Sequence, residues 1–119
     1  MKIVRETDGT PIIRADYSKI VLLTRDHFGH DGHLTQVVTI PPHIKQRHHV
    51  HRIQTEVMYV LAGECDVIVN KTNYRLSVGD SLIIEPGDIH AFENPGAEPC
   101  RIHVLKVHYP EDSEDTEWL

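Results

Sequence analysis

The sequence predicts an all-β protein, an antiparallel sandwich or closed barrel, on three observations. Short β-branched runs recur along most of the chain, clusters of Gly, Pro, Asn and Asp punctuate them, and no stretch of about 10 to 15 residues carries a helical apolar period. Without such crossovers the parallel sheet of a βαβ protein is excluded. In chain order the expected strands are 11–15 (PIIRA), 19–24 (KIVLLT), 34–40 (LTQVVTI), 56–63 (EVMYVLAG) and 65–70 (CDVIVN). They continue with 74–78 (YRLSV), 81–85 (SLIIE), 90–93 (HAFE) and 101–109 (RIHVLKVHY). Between them lie Gly29 with Gly32, Pro41-Pro42, Gly63, Asn70 to Asn73, Gly79-Asp80, Pro86-Gly87-Asp88 and Asn94-Pro95-Gly96, all turn formers. The last segment, 111–119, starts after Pro110, carries few apolar residues and reads as a frayed acidic end in which Trp118 is the one large aromatic group.

A chain of 119 residues suffices for one domain and one core, here expected over residues 1–110 with residues 111–119 as a tail. Of its 18 acids, five (Glu111, Asp112, Glu114, Asp115 and Glu117) lie in the last nine residues, which hold no Lys or Arg. Residues 1–110 therefore carry 13 acids against 12 bases, a net charge of -1, although the whole chain stands at -6. That balance argues against holding nucleic acid by neutralising phosphates. No window approaches the roughly 18 to 20 apolar residues of a membrane helix, and no leader is legible at the N-terminus, so a cytoplasmic protein is expected. Cys65 and Cys100 carry no disulfide framework and are read as reduced, small core residues.

The unusual component is histidine, with 10 residues. His49 and His51 are two apart, which on a strand turns both imidazoles to one face. Glu56 has the opposite parity and joins them only if a turn within Arg52 to Thr55 resets the register. Further on, Gly79-Asp80 and Pro86-Gly87-Asp88 bracket a short apolar strand, and His90 begins the next. If His90 faces the same interior, three neutral nitrogens and one carboxylate surround a point, a donor set suited to Mn, Fe, Co, Ni or Zn.

These residues resemble the cupin family. Its first motif, G-x5-H-x-H-x4-E-x6-G, falls on position 43, His49, His51, Glu56 and Gly63, and its second, G-x5-P-x-G-x2-H-x3-N, on Gly79, position 85, Gly87, His90 and Asn94. The match covers about positions 43 to 94. It departs from the pattern at His43, where the family has Gly, and at Glu85, where it has Pro with Pro86 one residue later. The resemblance implies a double-stranded β-helix, or jelly-roll barrel. It also implies one divalent transition metal per chain held by His49, His51, Glu56 and His90.

Around that centre, Arg47 shares parity with His49 and His51 and is a candidate anion-binding group, the alternative being a salt bridge at the rim. Met58 and Phe92 are candidate pocket walls, with Tyr59 on the opposite surface. His103 and Lys106 have opposite parity, so at most one points inward from a regular strand. His48 is expected outside, and the evenly spaced His27, His30 and His33 match no metal motif. A metal-dependent enzyme acting on a small oxygenated metabolite is the leading expectation, with dioxygenase-like oxidoreductase chemistry placed ahead of sugar-phosphate isomerase or lyase chemistry. A binding or sensing module without turnover is the competing class. Members of the family commonly dimerise, and the apolar PII and IVLL segments are the expected elements of a homodimer.

Overall fold

The computed structural model describes residues 1–119 and is built almost entirely from antiparallel strands. One sheet runs in the order β1 (Ile12–Ile13), β2 (Ser18–Val21), β3 (His33–Ile40), β11 (Cys100–Val107), β6 (Thr55–Ala62) and β9 (Ser81–Ile84). The other runs β12 (Thr116–Trp118), β5 (His49–His51), β10 (His90–Asn94), β7 (Cys65–Val69) and β8 (Thr72–Leu76), with β4 (Ile44–Lys45) also paired to β10. Period-two alternation decides which side chains enter the space between them. On β6, Glu56, Met58 and Val60 are buried while Val57, Tyr59 and Leu61 are exposed. The core draws Ile40, Met58, Val60, Ile84, Ile102 and Val104 from the first sheet and Cys65, Val67, Leu76 and Phe92 from the second. The Cys65 and Cys100 thiols, both fully buried and free, lie across this core with their sulfurs 3.0 Å apart.

This is a double-stranded β-helix, but its sheets are not closed into one hydrogen-bonded barrel. The reason lies in the turns. Each connection from β3 to β4, β5 to β6, β6 to β7, β8 to β9, β9 to β10 and β10 to β11 carries the chain from one sheet to the other, so the corners are occupied by turns and not by ladder. Gly63 makes one such corner at φ 74°, where a Cβ would stand 2.3 Å from the Pro99 carbonyl oxygen. His43, at the family's first glycine position, keeps the left-handed backbone (φ 61°) that glycine adopts freely, a conformation costing a side-chain-bearing residue about 1 to 2 kcal/mol.

Two local expectations are corrected. The acidic segment does not fray: Thr116–Trp118 forms β12, paired in register with His51, Val50 and His49. A one-turn helix, α1 (Arg25–Phe28), opens with a Thr24/His27 capping box and closes on Gly29 at φ 78°, and it is too short to show a period in the sequence. Two residues of the PII segment lie in β1 and the first two of IVLL in β2; these strands pair with each other within the chain and leave β1 at the sheet edge.

Candidate metal centre

β5 and β10 are adjacent strands, with His49 and His90 direct cross-strand partners, and the two-residue spacing to His51 returns its ring to the same side. All three histidines are buried, and a nitrogen from each lies within 4.8 Å of the others. Their rings are held from behind by backbone carbonyls. His49 Nδ1 is 3.2 Å from the Arg47 carbonyl, His51 Nδ1 3.3 Å from that of Asp115 and His90 Nδ1 2.9 Å from that of Asp88. A carbonyl can only accept, so each Nδ1 donates and Nε2 is the nitrogen presented to the cavity.

Glu56 borders this cluster from the facing sheet, with Oε1 2.7 Å from His51 Nε2 and 3.7 Å from His90 Nε2. The turn needed to reset its register is present. Asp115 clamps it: Oδ1 accepts from the Arg52 amide at 3.0 Å, and Oδ2 from the Ile53 and Gln54 amides at 3.1 and 2.9 Å. Sequence reasoning missed Asp115, because an acid in an acidic tail carries no signal of a distant partner.

Electrostatics follow from burial. Desolvation, with the neighbouring His90, lowers His49 to about 4, so its imidazole is neutral at pH 7. Burial alone would raise the Glu56 carboxyl, but a proton on His51 Nε2, held toward it in the metal-free site and displaced by a bound ion, together with the nearby His90, outweighs burial and holds the group below the usual carboxylate range. Three buried imidazoles presenting Nε2 beside an ionised carboxylate fit the divalent ion implied by the sequence resemblance, and the histidine cluster is poised to bind one per chain.

The cluster opens into a cavity of about 270 Å³ between the sheets. Met58 and Phe92 form part of its wall, and Lys106, not His103, is the residue of β11 that faces it. Arg47 does not line it. This residue precedes β5, so strand parity does not extend to it, and its exposed guanidinium lies over the Trp118 ring at 5.6 Å from the centroid. Trp118 in turn packs on His49, with ring centroids 4.8 Å apart, and lines the cavity with Glu114, Asp115 and Thr116. His48 is exposed, and His27, His30 and His33 lie outside the metal-competent group.

The fold and site together define a double-stranded β-helix with an enzyme-like, metal-binding pocket. The family model described as cupin domain matches residues 36–106, more than half of the chain, and the chain belongs to this family. Among curated relatives it is 33% identical over 71 residues to the mannose-1-phosphate guanylyltransferase RfbM of Salmonella typhimurium, matching 60% of this chain and 15% of that protein. It is 33% identical over 81 residues to the uncharacterized protein MJ1618 of Methanocaldococcus jannaschii, matching 67% of this chain and 63% of that one. The chain thus spans less than two thirds of the length of either relative.

Similar solved structures include a predicted oxalate decarboxylase from Thermotoga maritima (TM-score 0.80, 22% identity, 91% of this chain and 100% of that one). The polyketide cyclase RemF from Streptomyces resistomycificus also superposes (TM-score 0.80, 23% identity, 97% and 89%). So does a cupin-superfamily sugar phosphate isomerase from Silicibacter pomeroyi (TM-score 0.74, 16% identity, 99% and 92%). At these identities the likeness establishes the fold. No helix is long and apolar enough to cross a membrane.

Proposed function

We propose that this protein is a metal-dependent lyase or isomerase acting on a small oxygenated metabolite, with His49, His51, His90 and Glu56 as the metal ligands. The observation that carries the reading is the convergence of three buried imidazoles and the Glu56 carboxylate on one cavity of metabolite size. The ion, when bound, supplies Lewis-acid polarisation of substrate oxygens. The chain's own residues do the rest. Met58 and Phe92 exclude water from one wall, and Tyr17 and Tyr109, whose phenols burial pushes up and keeps protonated, line the same cavity. The oxygenase reading preferred from sequence gives way here, because the solved neighbours described above bear decarboxylase, cyclase and isomerase names and none of the three bears an oxygenase name.

The test is an anaerobic and aerobic screen of metal-loaded protein against small hydroxy acids, keto acids and sugar phosphates, with products followed by NMR. Turnover without oxygen is expected, and turnover that strictly requires oxygen would return the reading to dioxygenase chemistry. The partner we infer is a second copy of this chain. Val57, Tyr59, Leu61 and Ile83 stand exposed together on the outer face of β6 and β9, an apolar surface suited to self-association.

A further inference from the structure

The wall of the cavity opposite β5 and β10 carries three cations: Arg14 from the β1–β2 connection, Lys19 from β2 and Lys106 from β11. None of them has an ion-pair partner within 4.0 Å. The carboxylates that share the cavity are otherwise engaged. Glu56 faces His51 and His90, Asp115 accepts the three turn amides, and Glu114 accepts the Thr116 amide at 3.0 Å. Lys19 is half-buried, and desolvation together with repulsion from Lys106 and Arg14 depresses it, outweighing the opposing pull of Glu114 and Glu56.

A second observation is independent of charge. Gln36 lines the same wall on β3, is only 4% exposed, and its Oε1 is buried without any hydrogen-bond partner. An orphaned buried amide oxygen costs about 1 to 3 kcal/mol unless a donor reaches it. Lys106 is the cross-strand partner of Glu56, and Gln36 that of Val104 on the same strand, so the cations and the amide lie beside the metal centre along one continuous wall.

We propose that the substrate is a small hydroxylated oxyanion. Its carboxylate or phosphate is held by Lys19, Lys106 and Arg14, and a hydroxyl donates to Gln36 Oε1, while its reacting end faces the three histidines. This assignment rests on the metal-dependent reading above and names the substrate class for that site. The three cations stand on one wall, while the three carboxylates lie by the histidines and on the C-terminal segment, so an anion is drawn to that wall and not to the cavity as a whole.

Calorimetric titration of the metal-loaded protein with glycerate, glycerol 3-phosphate and glycerol tests it, because the probes share a hydroxylated skeleton and differ in the anionic group. At least one of the two anions should bind about tenfold or more tightly than glycerol, and which one does so separates a carboxylate from a phosphate substrate. Lys19→Gln and Lys106→Gln should each remove most of that preference while the melting profile stays cooperative. Gln36→Leu should narrow the gap between glycerate and propanoate, which lacks both of its hydroxyls. Equal binding of glycerol and both anions, or unchanged anion preference in the folded lysine variants, would overturn the proposal. Metal content is measured on the same samples. One metal per chain without anion preference counts against this inference alone, whereas anion preference without metal counts against the metal-dependent reading.

Discussion

Replacing Asp115 by Ala removes one carboxylate, yet its consequence should be read at the metal centre. That carboxylate accepts three backbone amides from the turn between His51 and Glu56, and the Asp115 carbonyl stands behind the His51 ring. At about 1 kcal/mol for each hydrogen bond to this half-exposed group, the substitution should destabilise the protein by about 3 kcal/mol, a fall in melting temperature of about 10 °C. Gln54, 2% exposed, loses the acceptor of its backbone amide and the turn is free to move, so the reset in parity that brings Glu56 toward the histidines is no longer enforced. Metal affinity measured by chelator competition should weaken by about 10- to 100-fold, the usual effect of losing a group that orients a ligand. Asp115→Asn, which retains one acceptor oxygen, should fall between. If Asp115→Ala melts lower yet binds metal with unchanged affinity, the turn is a stabilising feature only and the argument that the tail organises the site is wrong.

Elemental analysis should find one metal per chain in replete wild-type protein and essentially none in His51→Ala or His90→Ala; unchanged stoichiometry in either variant would remove that residue from the ligand set. For the metal-free protein, acid should destabilise. His49 is lowered to about 4 in the folded state, so the unfolded chain binds its proton more readily as pH falls below about 6.5. Stability is then fully present above about pH 6.5 and declines toward pH 4 by at most about 1.4 kcal/mol per unit for this one group, with the depressed Glu56 adding to the loss below its unfolded range. Urea midpoints across this interval check the sign, and a flat profile would contradict it. Light scattering should report a dimer that Ile83→Glu converts to monomer; a wild-type monomer would exclude the outer face of β6 and β9 as an interface.

Much of this protein was legible in its sequence because its determinants are local. Alternating apolar residues and turn formers specify strands, and the spacing of His49, His51, Glu56 and His90 within the two motifs marks the centre that the structure assembles. Even the departure at position 43 leaves the backbone where glycine would put it. Parity failed only where regular strand ended: Arg47 precedes a strand of three residues, and nothing in its neighbourhood announces that its guanidinium will lie over Trp118.

The remaining features depend on pairs remote along the chain. Asp115 reaches residues more than 60 positions away, the tail becomes a strand only because β5 offers it an open edge, and Gln36, Lys19 and Lys106 meet because β2, β3 and β11 are neighbours in one sheet. Local sequence determined which histidines converge on one cavity. Only the tertiary structure decided what surrounds them, because strand order and burial, not spacing, determine whether a lysine meets solvent, a carboxylate or the cavity.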